Sequence, residues 1–367
     1  MDPRLADMAR VLVGYSVGVK TGDWTVIQST TAGEPLVEAC VKEVLSAGGY
    51  PSVFMNSEQI EELVLSESNT QQLEFVSPMI KAFVDQADAT IAILAPTNTK
   101  YLANVDPSHM ATRQKAAQPY NEKYMQRYAE GKLRWTIAQY PTEAAAQDAG
   151  MSLRQYQNFV FEAGLLDQPD PVQAWKQLFE KQQKLVDWIS DKSTVHIKGR
   201  DTDLTVGIGG RTWINDAGHE NFPGGEMFTG PIEDSVDGEI AFNYPVFLQV
   251  EVQGVKLRFE HGTVTDATAT AGEQYLHEML DLDPGARRLG EFAFGTNQGI
   301  ERFTKNTLFD EKIGGTLHMA LGKSIPGTGG TNESTLHWDM VYNLREGAEV
   351  TVDGQVFSKN GVFQVGV

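Results

Sequence analysis

The sequence predicts an α/β N-terminal domain with a mostly parallel sheet, followed by a mainly β (α+β) C-terminal domain. Three observations carry that prediction. Helical and strand-like segments alternate through the first half, and one strand segment, DATIAIL (88–94), is almost wholly apolar, as strands buried on both faces are. From Ser193 onward the strands become short and glycine-punctuated, with tight-turn dipeptides at Asp237-Gly238, Asp353-Gly354 and Asn360-Gly361. The 367 residues also exceed one compact domain of about 100–200 residues, which gives two domains, 1–190 and 191–367.

Residues 3–17 have the apolar spacing of an amphipathic helix. A Gly22-Asp23 turn leads into a strand over 24–28. The helix over 34–47 is closed by Gly48-Gly49, because glycine readily takes the left-handed conformation that ends helices. A strand over 50–55, helical stretches over 57–65 and 71–86, the strand 88–94 and a strand over 134–139 complete the alternation. Residues 142–192 read as helical, and 272–280 is the notable helix of the second half.

Composition narrows the function. Lys and Arg number 30 against 49 Asp and Glu, a net charge of −19, which argues against gripping a phosphate backbone. Six widely spread tryptophans form no stacking platform, so nucleic acid is not an expected partner. No apolar run is long enough to span a membrane, and MDPRLADMARVLV lacks the basic-then-apolar pattern of a signal peptide. A cytoplasmic protein is the expectation. The single cysteine, Cys40, excludes an intrachain disulfide and a Cys-based zinc site, and its place in PLVEACVKEVL reads as core packing.

Seven histidines and their acidic neighbours are the search set for chemistry. In TLHWDMVYN, His337 and Asp339 are two apart on a strand-like segment and so share a face, a usable ligand pair although His-x-Asp alone is a weak signal. His318, in GTLHMALG, lies in an apolar run where a charged imidazole is costly to bury, so it is either neutral and hydrogen-bonded or held by a metal. Glu226 follows Pro-Gly-Gly, a sharp-turn sequence that presents a carboxylate rather than packing it, and taken alone it reads as a solvated loop residue. Glu291 sits between Leu289-Gly290 and Phe292-Ala293-Phe294, an unusual setting for an acid unless a cation meets it. Together these three carboxylates and two imidazoles suit two divalent cations with a bridging carboxylate and a bridging water. Two such cations against three carboxylates leave one positive charge, which a bridging hydroxide would neutralise.

Several features read as structural. GIGGR (207–211) and GTGG (327–330) lack the Lys-Ser/Thr of a phosphate loop and read as turns. His196 and His261 lie in strand-like segments, and His109 stands at a helix start. Asn332-Glu333-Ser334 matches a glycosylation sequon that a cytoplasmic protein does not use. His219, close in sequence to Glu226, is a candidate for the substrate side.

YSVGVKTGDWTVIQS, NFPGGEMFTGP, the ARRLGE stretch, NTLFDEKIGGTLHMALG and the closing TLHWDMVY together resemble the M29 family of metalloaminopeptidases, the aminopeptidase T-like enzymes, over nearly the whole chain. The resemblance implies an N-terminal α/β domain, a β-rich domain with a co-catalytic two-metal site, and a homodimer whose sites face an enclosed cavity. It carries the family's metal ligands onto Glu226, Glu291, His318, His337 and Asp339, the set found from chemistry. Asp310, in TLFDEK, falls in a family block and reads as a supporting residue. The family usually has a tyrosine seven residues after the histidine of this block. Here that position is Ile325, and Lys323 or Tyr342 are candidate replacement donors.

The reading is a metal-dependent aminopeptidase releasing N-terminal residues from short peptides. The metals bind the free amine and the scissile carbonyl while a metal-bridged hydroxide attacks, with Glu226 or Glu291 sharing the proton transfer. Zinc is the default metal by ligand type, with cobalt or manganese as alternatives. Two other readings stand beside it: a mononuclear non-haem iron ring-cleaving dioxygenase using His318, His337 and Asp339, and a catalytically silent binding protein.

Overall fold

The protein is described here by a computed structural model covering residues 2–248 and 250–366. It divides into two compact units, Met1–Ala174 with Gly218–Phe222, and Trp175–Ala217 with Pro223–Val367.

The first unit is built on a sheet of parallel strands in the spatial order Tyr50–Asn56, Trp24–Thr30, Ala89–Leu94, Arg134–Gln139 and Asn221–Phe222. Four of these are the strands expected from the sequence. The fifth is a two-residue return from the second half, too short to carry a periodicity. Helix starts follow local chemistry. Asp2 accepts from the Arg4 amide ahead of Pro3, Ser57 caps Glu58–Glu67, and Ser152 and Gln155 form a reciprocal cap on Leu153–Ala163. Two expected helices are broken. Residues 3–17 form an α-helix over Pro3–Val11 and a π-helical turn over Leu12–Ser16. The stretch 71–86 splits into Thr70–Leu73 and Pro78–Gln86, because Pro78 has no amide hydrogen and is suited to a first helical turn capped by Ser77. Cys40 is fully buried on the helix Glu34–Ser46, and burial pushes its thiol up, which leaves it inert.

The second unit contains an eight-stranded sheet and a five-stranded sheet whose pairings are antiparallel. Val195, Ile197 and Leu204 from the larger sheet and Phe292, Phe294, Met319 and Trp338 from the smaller share one apolar core. Burial of each such side chain contributes about 1.5–3 kcal/mol. The division between the units falls at Ala174–Trp175, earlier than the boundary expected near 190. The cause is the helix Pro171–Ile189, whose Leu185, Val186 and Ile189 enter the core of the second unit. Its Gln182 also donates to the Asp216 and Glu226 carbonyls at 3.2 and 3.0 Å, tying the helix to two strands of the smaller sheet.

Candidate metal centre

The smaller sheet runs in the order His337–Asn343, Thr316–Gly322, Leu289–Gly295, Glu226–Thr229 and Ile214–Asp216. Its register decides what meets. Ala320 lies opposite both Glu291 and Asp339, Ala293 opposite His318, Gly322 opposite His337 and Gly295 opposite Glu226. Side chains directly opposite one another point to the same face, so all five candidate ligands share one face. Alanine or glycine thus stands opposite each of the five, while Val341 lies opposite His318 on its other side and Asp216 opposite Glu226. The other face carries Phe292, Phe294, Leu317, Met319, Trp338 and Met340 into the core.

Glu291 reaches this face through an irregularity. In a regular strand Leu289 and Glu291 would point the same way, yet Leu289 is in the core and Glu291 is not. The register shifts between them, and the bulge at Gly290 reverses the alternation. A Cβ on Gly290 would lie 2.3 Å from the Lys323 carbonyl oxygen. Replacement of Gly290 by alanine is therefore expected to displace Glu291 and lower kcat about 10²-fold, the cost of a misplacement of about 1 Å. Steady-state kinetics alongside a thermal melt would separate this from unfolding, and unchanged kcat would refute it. Gly225, ahead of Glu226, has φ +115° and backs onto Asn297, where a Cβ would meet a side chain at 2.5 Å. Glu226 is consequently held on a strand and is 3% exposed. This corrects the expectation that the turn would present it to solvent.

His318, fully buried, lies with Nε2 3.2 Å from Glu226 Oε2 and 3.4 Å from Glu291 Oε1. His337 Nε2 lies 3.2 Å from Glu291 Oε2 and 3.7 Å from Asp339 Oδ1. Glu291 thus offers one oxygen to each imidazole. His337 Nδ1 is 2.9 Å from the Lys323 carbonyl, which can only accept, so Nδ1 carries the hydrogen and Nε2 is turned to the carboxylates. Lys323 contributes that carbonyl, and its side chain is exposed. The entry to this strand is braced by Asp283, which accepts from the Thr335 amide and hydroxyl, both at 2.8 Å, and from the Ser334 hydroxyl. The Thr335 amide leads the interactions that hold the Asp283 carboxyl down at about 2.

Two residues that sequence reasoning passed over complete the centre. Glu311 joins Glu226 and His318 in one group of ligand atoms, all within 4.8 Å of one another, and Glu291, His337 and Asp339 form a second such group. Lys312, 1% exposed, lies 3.1 Å from Glu226 Oε1 and 2.5 Å from Glu311 Oε2. The signal was present in TLFDEK, but the acid singled out there was Asp310. Asp310 turns away, accepts from the Thr304 amide and hydroxyl at 2.7 and 2.9 Å, and is pushed up by burial to about 7.

Burial opposes charge throughout this centre, and neighbours decide the result. Lys312 and His318 hold Glu226 below its ordinary value against burial, and the two imidazoles hold Glu291 down at about 2. The carboxylates lift His318 well above its ordinary value and His337 to about 10, again against burial. Burial lifts Glu311 well above the usual carboxylate range, with Asp339 and Glu226 adding to the rise, and it raises Asp339 as well. Glu226 Oε2, His318 Nε2 and Asp339 Oδ1 are buried without a hydrogen-bond partner among the described residues. Unsatisfied acceptors and an imidazole nitrogen converging on one face fit a divalent cation, which needs such lone pairs.

The substrate-side candidates fare differently. Tyr342 is on the core face of its strand, where its hydroxyl bonds Thr202 and lies against Gly199, so it is not a donor to this centre. The strand alternation that brings His337 and Asp339 together is what turns Tyr342 away. His219 belongs to the first unit, where its ring lies 4.6 Å from that of Tyr15. His109 bonds the Leu65 carbonyl and His196 pairs with Asp203 on a hairpin, both structural contacts.

Comparison with known proteins supplies the family and the fold. The profile of the family described as thermophilic metalloprotease (M29) matches residues 1–366. Aminopeptidase T of Thermus aquaticus is 30% identical over 312 residues, covering 75% of this chain and 74% of that protein. Aminopeptidase 2 of Geobacillus stearothermophilus is 26% identical over 394 aligned positions, covering 96% and 94%. The solved structure of wild-type AmpT from Thermus thermophilus superposes with a TM-score of 0.83 at 23% identity, covering 99% of both chains, and so shares the fold. These matches support a metal-dependent aminopeptidase and give no support to the ring-cleaving dioxygenase alternative with His318, His337 and Asp339 as its ligands. By a family match over essentially its whole length, the chain belongs to the M29 family of metalloproteases, hydrolases that act on peptide bonds.

Proposed function

We propose that this M29 enzyme is a two-metal aminopeptidase that releases N-terminal residues from short peptides, with residues 191–367, which apart from 218–222 lie in the second unit, as its catalytic part. The observation that carries the reading is the pair of three-residue ligand groups on one sheet face, Glu226–Glu311–His318 and Glu291–His337–Asp339. Glu226 and His318 would hold one ion, His337 and Asp339 the other, and Glu291, with an oxygen toward each imidazole, would bridge them. When bound, the ions polarise the scissile carbonyl and supply an acidic water near neutral pH. Ligand type makes zinc the first choice, with cobalt or manganese able to serve the same set.

The chain's own groups divide the remaining work. Glu226 and Glu291 are held ionised, which suits ligands. Glu311 favours its protonated form and stands beside both groups, which suits a carrier that passes a proton to the leaving amine. The proton-transfer role considered for Glu226 or Glu291 therefore moves to Glu311. A homodimer, on the family resemblance, completes the proposal, and the cytoplasmic location expected from the sequence is kept beside it.

Elemental analysis of the purified protein with hydrolysis of a panel of aminoacyl-4-nitroanilides tests it. The expected result is close to two divalent ions per chain and release that a chelator abolishes. Full metal occupancy with no release from any peptide would overturn the aminopeptidase in favour of a silent binding protein.

A further inference from the structure

The two ligand groups differ in one respect that the metal-centre reading leaves unexplained. A fully buried ammonium, Lys312 Nζ, lies 3.1 Å from Glu226 Oε1 and 2.5 Å from Glu311 Oε2, so it already occupies two of the oxygens in the first group. The second group has no ammonium or guanidinium partner: among the described residues, neither Glu291 nor Asp339 has a lysine or arginine nitrogen within 4.0 Å, and besides the imidazoles Asp339 bonds the Glu311 carboxyl. A cation entering the first group must share carboxylates with a positive charge that cannot move to water. At such depth the repulsion is far less screened than at a surface. A cation entering the second group meets no fixed positive charge.

We propose that Lys312 is a positioning residue that makes the two metal sites unequal, acting as a built-in competitor for Glu226 and Glu311 so that the ion held with Glu226 and His318 is the weakly bound, exchangeable one. The inference rests on the two-metal reading above. Its structural logic is that the ammonium keeps Glu226 and Glu311 paired before any metal arrives, so this half of the site is assembled in the metal-free protein. It also draws Glu226 Oε1 to itself and leaves Oε2, the atom 3.2 Å from His318 Nε2, as the oxygen on offer to the ion. The Glu291–His337–Asp339 group, without such a competitor, holds the tighter ion.

The test is the release of zinc to a chromogenic chelator from the loaded full-length protein, with ions per chain counted after dialysis. Wild type is expected to lose its ions in two phases, one at least ten times faster than the other. Lys312→Met is expected to slow the fast phase about tenfold or more and leave the slow phase unchanged, while Lys312→Arg, which keeps the charge, retains the two phases. Asp339→Asn, in the other group, is expected to speed the slow phase. If Lys312→Met fails to fold without metal, Lys312→Gln retains a hydrogen-bond donor to Glu311, and its fast phase is expected to slow in the same way. Two ions released from Lys312→Met or Lys312→Gln with wild-type kinetics, or both phases altered equally, would overturn the role of Lys312 while leaving the two-metal centre standing. A wild-type protein that takes up no zinc would overturn the centre and this inference together.

Discussion

Replacing Glu291 by glutamine is expected to reduce the bound divalent ions from two per chain to one or none and to lower kcat by roughly 10²- to 10³-fold. Among the described residues Glu291 is the one carboxylate that faces both imidazoles, at 3.4 Å from His318 and 3.2 Å from His337, and it is 4% exposed. Glutamine preserves the volume but removes the charge, and its amide nitrogen cannot ligate. The loss is expected to be at least the roughly 10- to 100-fold in metal affinity or activity that follows removal of a group merely orienting a metal ligand. Asp339→Asn, in the second group, is expected to loosen the ion held there, so that dialysis removes it sooner than from the wild type. Metal analysis after dialysis and single-turnover kinetics would check both variants. Retention of two ions by Glu291→Gln would remove its bridging role.

The second large effect is a coupling between metal and protons. Without metal, the surrounding carboxylates hold His337 at about 10 and lift His318 well above its ordinary value, so both imidazoles carry a proton at pH 7. A ligating imidazole must be neutral at the ligating nitrogen, so loading both ions is expected to release at least two protons per chain. The logarithm of the overall loading constant should then rise by about two per pH unit around neutrality, since each proton displaced contributes one. Titration calorimetry in buffers of different ionisation enthalpy measures this directly. Uptake without proton release would contradict the imidazolium–carboxylate pairing.

Stability should show the opposite trend in the metal-free protein. A histidine raised on folding contributes stability that is fully present below its unfolded value near 6.5. For His337 that contribution is lost as pH rises through about 10. Melting temperatures of the metal-free and loaded proteins are therefore expected to diverge as pH rises from 7 to 10.

Much of this was legible before folding. The apolar run 88–94 is a strand of the parallel sheet, as its lack of alternation implied. His337 and Asp339 share a face because strand periodicity is two, a rule that needs no tertiary information. The same rule placed Tyr342 with Trp338 and Met340, and naming it as a donor overlooked that. Glu311 and Lys312 were illegible for another reason. They sit just after the one-turn helix Thr307–Asp310, where neighbouring side chains point in different directions and no periodicity tells which acid turns inward.

By itself the sequence determined the order of the two folds, the residue types able to hold a metal, and the pairing of His337 with Asp339, because these depend on local alternation and composition. Tertiary structure alone decided that four strands align in register to bring Glu226, Glu291, His318 and the His337–Asp339 pair onto one face, that a bulge at Gly290 turns Glu291 toward it, and that Lys312 is buried among them. The physical reason is that register between distant strands and the burial of a charge depend on the fit of the whole core, which no local window of residues contains.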